Sequence, residues 1–555
     1  MESLSALQQA RYQYIPAIPA LIRMDASRIQ QESIRADAPP PDEAIRAHYP
    51  HTYTTTALTF REGANPTAHA RRRCGVLLSG GQAPGGHNVI AGLYDGLTSA
   101  NTQSALYGFI GGPGGFLRGE AQLLTSARID RYRNTGGFDI IGSDRTKIER
   151  EEQLTAAVRT VQNLQLDSLV VIGGDDSNTN AALLAERFAA ERLGVQVIGV
   201  PKTIDGDLKN GYIEASFGFD TATKVYAGLI GDVARDTRSS GKYWNFIKLM
   251  GRSASHIALE CALQTHPNVC LIGEEIAAKR LPLKRVIYDI CRVIADRADR
   301  GEDYGVVLIP EGIVEFIPET AQLIHELNHR WRDYEAVFSA LTTLELKKRW
   351  LSARLTPAAF ATLVQLPPEI AEQFLGLRDP HGNILVSQIE TEKLFITMIA
   401  DSLHGMKGAG SYRGSFRPLA QFYGYEGRSV APSNFDANYC YTLGRTAFLL
   451  IAAGVTGYLA CVQNLAAPAA EWSAGGVPLT ALMQREERKG TPVPVIAKTL
   501  VDLSGAPFRA FAAARERWAL HTDYVYPGAI QYFGSDVLCN RVTETLRLEA
   551  EARRV

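Results

Sequence analysis

The sequence predicts an α/β protein built on parallel sheets and divided into more than one domain, and three observations carry that expectation. Residues 170–209 read as strand, glycine turn, helix, strand and second turn, the pattern of a right-handed parallel βαβ unit. The same theme, a short apolar run that ends at a glycine-marked turn, recurs elsewhere. It appears at Cys74 to Leu78 before SGGQAPGG, at Gly241 to Leu249 before Met250, Gly251 and Arg252, and at Val306 to Ile309 before Pro310, Glu311 and Gly312. Finally, 555 residues are more than one hydrophobic core usually holds.

Within the first stretch, Leu169 to Ile172 is short, β-branched and apolar, and Gly173 and Gly174 end it. Asn180 to Leu193 is rich in Ala, Leu, Glu and Arg at helical spacing, with Gly194 as a stop. Val195 to Val200 is the second strand, and PKTIDGD the turn at its carboxyl end. Parallel connection brings both turns to one edge of the sheet, where open α/β sheets bind ligands. Their chemistry points to phosphate. Gly173 and Gly174 allow close backbone approach, the following helix offers free N–H groups, and Asp175 is a hard oxygen ligand suited to Mg²⁺. Lys202 is a cation beside Asp205 and Asp207, so base, cation and metal carboxylate together describe a phosphoryl-transfer site. Taken alone, GGDDS reads equally well as a turn that caps a helix; the second turn is what weighs against that.

Composition narrows the class. Lys plus Arg (58) nearly balances Asp plus Glu (59), so net charge suggests neither a nucleic-acid nor an anionic-membrane partner. Seven cysteines (Cys74, Cys261, Cys270, Cys291, Cys440, Cys461, Cys539) lack metal or CxxC spacing, which fits buried thiols in a reducing, cytoplasmic setting. The best membrane candidate, Thr446 to Val462, is short and carries two glycines. The opening MESLSALQQARYQYIP has early charge and no apolar core like that of a secretory signal.

Gly-Gly-Asp-Asp-Ser and Pro-Lys-Thr-Ile-Asp-Gly-Asp resemble the signatures of phosphofructokinases, in the form carried by the diphosphate-dependent members. ATP-dependent members usually have Gly at the positions of Asp176 and Lys202. The swap has a physical sense: a carboxylate at 176 repels and crowds the α-phosphate of a nucleotide, whereas a lysine at 202 can pair with the free end of diphosphate. The loop Ser79 to Asn88 closely resembles the family's donor-phosphate loop, which assigns Gly80 and Gly81 to diphosphate. The run from Gly136 to Lys147 resembles the loop whose Arg and Lys stabilise the transferring phosphoryl group, which points to Arg145 and Lys147. Asp144 stands before that arginine where many members have glycine. The stretch Tyr107 to Phe116 reads as a strand that ends in a glycine-rich loop near the site entrance.

The resemblance also implies the acceptor residues. Met250, Gly251 and Arg252 resemble the sugar-phosphate triplet, and Lys242 and Tyr243 stand where relatives contact the sugar, often across a subunit interface. Glu311, at the carboxyl end of a strand, suits sugar hydroxyls. Tyr425, Glu426, Gly427 and Arg428 share a tight turn, with Arg428 assigned to the 6-phosphate, and Thr203, Ile204 and Asp205 complete the substrate set. The implied catalytic group is Asp205 as base, with Thr203, Asp207 and Arg145, and Asp175 as the Mg²⁺ ligand.

The fold so implied is α/β, with two Rossmann-like parallel-sheet domains and a helical insertion. The boundaries expected are an extension over 1–70, a donor domain over 71–240 completed by part of 430–510, a sugar-phosphate domain over 241–317 and 407–430, a helical insertion over 318–406 and a closing segment over 511–555. The expected reaction is reversible transfer from diphosphate to fructose 6-phosphate by a cytoplasmic homodimer, with no nucleic-acid or membrane partner. An ATP-dependent phosphofructokinase and a non-catalytic subunit that binds sugar phosphates stand as alternatives at this point.

Overall fold

A computed structural model describes residues 4–35, 42–376, 378, 383–488 and 491–554; Pro39, Pro40 and Pro41 of the acidic Pro-rich patch and the Asp379-Pro380 break fall outside them. The chain forms two compact units, Met1–Ala222 with Tyr425–Thr499 and Ile530–Ala550, and Thr223–Gly424 with Leu500–Ala529 and Glu551–Val555. In chain order the strands are β1 (Ile29–Arg35), β2 (Thr56–Glu62), β3 (Arg73–Ser79), β4 (Ala105–Phe109), β5 (Ala121–Leu123), β6 (Ser143–Asp144), β7 (Ser168–Gly173), β8 (Gln196–Thr203) and β9 (Phe217–Gly218). They continue as β10 (Trp244–Leu249), β11 (Val269–Cys270), β12 (Gly305–Pro310), β13 (Pro418–Tyr423), β14 (Tyr458–Gln463), β15 (Ser473–Pro478), β16 (Met483–Arg488) and β17 (Thr491–Ile496).

In the first unit the sheet order is β1-β2-β15-β14-β8-β7-β3-β4-β5, with β6 beside β3 and β9 beside β8. Its centre, from β14 through β8, β7 and β3 to β4, is parallel, and its edges are antiparallel. The parallel centre follows from the sequence: β7, SLVVIG, is buried at every position, as a strand covered on both faces requires. Helix Asp175–Ala190 covers one face, where Ala181, Ala185 and Phe188 pack with Leu169, Val171 and Val197.

The register of β7 on β8 pairs Gly173 with Pro201, so the two turns do leave the same edge. Three boundaries differ from the sequence reading. The helix starts at Asp175 rather than Asn180, because two aspartates in a first turn are stabilised by the helix's positive N-terminal end. Strand β8 continues through Thr203, because β9 pairs with Lys202 and Thr203 and extends the ladder. The glycines after β4 are not a loop: Gly112–Arg118 is a short helix with proline in its first turn.

The first seventy residues supply β1 and β2, and helix Ala6–Tyr12 carries Arg11 into the unit. Arg11 is 3 % exposed and donates to Asn434 Oδ1 at 2.8 Å and to the Pro432 carbonyl at 2.9 Å. Its guanidinium also lies 4.2 Å from the ring centre of Tyr532 and 4.7 Å from that of Tyr14.

The second unit is built on a four-stranded, wholly parallel sheet in the order β11-β12-β10-β13. Five helices, Pro318–Ala340, Leu344–Leu351, Pro357–Gln365, Pro368–Leu375 and Thr391–Gly408, fill the stretch after β12. They do not form a separate body: Leu323, Leu363, Phe374 and Phe395 share one core with Trp244, Phe246, Val307 and Ile309 of the sheet. A buried polar link reinforces this packing, since Lys248 of β10 donates to the Ile389 carbonyl at 3.1 Å and lies 3.5 Å from Glu392. Among the described residues no helix is long and apolar enough to cross a membrane. All seven cysteines are free thiols.

Candidate functional site

At the carboxyl edge of the first unit's sheet, four adjacent strands deliver the residues expected on the donor side. Strand β3 ends at Gly80 and Gly81, β6 at Asp144 and Arg145, β7 at Gly173 and Gly174, and β8 at Lys202 and Thr203. The Gly80 turn is locked by its amide donating to the Asp144 carbonyl at 2.8 Å and by Ser143 Oγ donating to the Gly80 carbonyl at 3.0 Å. Gly80 has φ +83°, a left-handed conformation that glycine adopts at little cost. A Cβ on Gly81 would meet Arg428 Nη2 at 1.3 Å, so only glycine leaves room for that guanidinium.

Arg428 sits on helix Tyr425–Ser429 and donates through Nε to the Gln82 carbonyl at 3.2 Å, while Ser429 Oγ donates to Gln82 Oε1 at 2.8 Å. The structure therefore brings Arg428 onto the glycine turn, where Lys202 Nζ also donates to the Gly81 carbonyl at 2.8 Å. Lys202 is 7 % exposed, and burial together with Arg428 and Arg145 holds its ammonium down at about 8, against the pull of Asp205 and Asp175. Asp144, the extra acid beside Arg145, is turned aside: its carboxylate accepts from the Gly114 amide at 3.1 Å and from Thr146 Oγ1 at 2.6 Å.

The carboxylates are arranged just as tightly. Thr203 Oγ1 accepts the Asp205 amide at 3.0 Å, and the same hydroxyl helps to hold the Asp207 carboxyl down. Burial pushes Asp207 up to about 6, with Asp205 and Asp175 adding repulsion. Ile204, between Thr203 and Asp205, is buried and anchors the turn. Asp175 and Asp176 occupy the first turn of helix Asp175–Ala190; Asp176 lies 3.5 Å from Lys147 and Asp175 lies 3.4 Å from Lys498. Among the described residues no group of three or more His, Cys, Asp or Glu could hold a metal unaided. Asp175 still fits Mg²⁺, because that ion takes one or two carboxylates and fills its shell with water and substrate phosphate.

Lys498 is the residue that sequence reasoning missed. It follows β17 in a stretch with no glycine turn and no motif, some three hundred residues from Asp175 in the chain. Only the packing of β17 on helix Asp175–Ala190 reveals it, through the Ile496 amide donating to Thr179 Oγ1 at 3.0 Å.

In the second unit, β10 and β12 are neighbours and end together. The Glu311 amide donates to the Leu249 carbonyl at 2.9 Å, and Glu311, 3 % exposed, accepts the Gly251 amide at 3.1 Å. Gly251 has φ +125°, which a side-chain-bearing residue rarely adopts, so the Met250-Gly251-Arg252 turn depends on it. Met250 is buried and Arg252 is exposed. Lys242 and Tyr243 are not brought to this turn: they precede β10, a strand's length away at its other end, with the ammonium 5.6 Å from the tyrosine ring centre. In the first unit Tyr425 is 64 % exposed, Glu426 is exposed and Gly427 is buried.

Fold and site together define a class: an α/β protein whose glycine turns, clustered cations and paired carboxylates are built to handle phosphate. Residues 73–345 match the sequence profile described as Phosphofructokinase. The chain is 53% identical over 560 residues to the "Pyrophosphate--fructose 6-phosphate 1-phosphotransferase" of Treponema pallidum (strain Nichols), covering 99% of this chain and 98% of that one. It is 50% identical over 549 residues to the protein of the same name from Porphyromonas gingivalis, covering 99% and 100%. In fold it is similar to the pyrophosphate-dependent phosphofructokinase of Marinobacter aquaeolei, with TM-score 0.52 at 16% identity over 82% of this chain and 93% of that one. The chain belongs to the phosphofructokinase family.

Proposed function

We propose that this chain catalyses reversible transfer of a phosphoryl group from diphosphate to the 1-hydroxyl of fructose 6-phosphate, giving fructose 1,6-bisphosphate and phosphate. The observation that carries the reading is Lys202, buried on the Gly81 carbonyl within the field of Arg428 and Arg145, with Asp176 at the start of the adjoining helix. A buried cation at that point suits a small, highly charged donor. A carboxylate at the helix start opposes a nucleotide's α-phosphate. Relatives of full length and about half identity carry the matching name.

In this reading Asp205 is the general base that takes the proton of the 1-hydroxyl as its oxygen attacks the terminal phosphorus. Thr203, bound to the Asp205 amide, holds the base in place rather than touching the donor. Lys202, Arg145 and the backbone of Gly80 and Gly81 offset charge on the phosphoryl oxygens; loss of one such contact costs on the order of a hundredfold or more in rate. Asp175 holds Mg²⁺, which when bound neutralises diphosphate charge. In the second unit Met250, Gly251, Arg252 and Glu311 are assigned to the sugar phosphate, and in the first unit Tyr425, Glu426, Gly427 and Arg428 are assigned to it as well. Lys242 and Tyr243, remote from that turn within their own unit, suit contact with a neighbouring copy in a homodimer. Seven free thiols support a cytoplasmic setting.

The test is the purified chain alone with diphosphate, Mg²⁺ and fructose 6-phosphate. Formation of fructose 1,6-bisphosphate and phosphate in equal amounts supports the reading; sugar-phosphate binding without turnover would assign a regulatory subunit instead.

A further inference from the structure

Lys498 belongs to no turn assigned to substrate above, yet its backbone is fixed on both sides. Before it, the Ile496 amide donates to Thr179 Oγ1 at 3.0 Å and the Ala497 amide to the Leu482 carbonyl at 3.0 Å. After it, the Thr499 amide donates to the Asp207 carbonyl at 2.7 Å, and Thr499 Oγ1 bonds to the Lys209 carbonyl. A long, flexible side chain is thus launched from a rigid point directly beside the catalytic acids. Its ammonium lies 3.4 Å from Asp175 Oδ2, and the side chain is 39% exposed against 23% for its partner. A purely structural ion pair would gain little from such exposure. An ammonium within reach of solvent, paired with Asp175 and close enough to pull the Asp207 carboxyl down, suits a ligand that brings still more negative charge to the same edge.

We infer that Lys498 is a further binding residue of the donor site, contacting the oxygens of diphosphate, and of free phosphate in the reverse direction. The inference rests on the diphosphate reading above. The edge already gathers Lys202, Arg145 and Arg428 about the Gly81 turn and Lys147 3.5 Å from Asp176, and Lys498 adds a cation 3.4 Å from Asp175. Diphosphate bound there meets cations of the glycine turn and Lys498 at once, which restrains its orientation as well as its charge.

The test compares the wild-type chain with Lys498→Met and Lys498→Arg. Calorimetric titration with diphosphate and Mg²⁺, without sugar, is read beside the KM of each substrate. For Lys498→Met the diphosphate dissociation constant and KM rise roughly tenfold or more, the size of a lost hydrogen bond to a charged group. The KM for fructose 6-phosphate stays within about twofold, and Lys498→Arg recovers most of the loss. If Lys498→Met instead leaves diphosphate binding unchanged and only lowers the Mg²⁺ concentration needed, the lysine merely neutralises Asp175 and the inference fails. A wild-type chain that does not bind or use diphosphate overturns the underlying reading, a separate result.

Discussion

At the residue scale the proposed reaction rests on Asp205 and Lys202, and each makes a distinct demand. Asp205→Asn keeps the Thr203 contact to its amide but removes the base, so kcat falls on the order of 10²–10⁴-fold while the KM for fructose 6-phosphate changes little. Turnover that survives this change would reassign the base. Lys202 titrates at about 8, so it is charged below that pH and neutral above it. The kcat/KM for diphosphate, which reports the free enzyme, therefore falls as pH rises through about 8. A profile flat well past that point would mean that the ammonium does not bind the donor. The residue chemistry was legible in the sequence where it lay on turns with a fixed neighbour order, as in PKTIDGD and GGDDS. It was illegible at Lys498, whose role comes from packing alone, and at Arg428, whose seat on the Gln82 carbonyl no spacing encodes.

The elements were read best where both faces of a strand are buried, as in β7, because continuous burial writes itself as an unbroken apolar run. They were read less well at their ends. Helix Asp175–Ala190 begins five residues early because its acids favour the positive end of the helix, and the glycines of Gly112–Arg118 are helical despite low propensity because the surrounding chain holds them. Helix Ala6–Tyr12 was opaque in function, since nothing in its composition shows that Arg11 reaches Pro432 and Asn434, a few residues beyond Arg428. Replacing Arg11 with Met leaves two buried acceptors without that donor and removes the stacking on Tyr532, a loss of about 2–4 kcal/mol. Chemical denaturation measures it; a change below about 0.5 kcal/mol would show the contact to be incidental.

At the scale of the whole molecule, the chain is two α/β units, the first with a sheet that is parallel at its centre and the second with a wholly parallel sheet. The general plan was legible because recurring strand-and-glycine-turn units announce parallel sheets. The discontinuous path was not, since the chain leaves the first unit after Ala222 and returns at Tyr425, and no local signal marks either crossing. The helices after β12 look from sequence like an inserted body, but they complete the second unit's core. In the proposed reaction Asp176 and Lys202 select diphosphate over a nucleotide. The most direct measurement is kcat/KM for diphosphate and for ATP, in the wild type and in Asp176→Gly. The wild type should favour diphosphate by on the order of 100-fold or more, the scale of a like-charge clash of a few kcal/mol, and the substitution should shift the ratio toward ATP. ATP used as well as diphosphate by the wild type, or a ratio unmoved by the substitution, would contradict the claim.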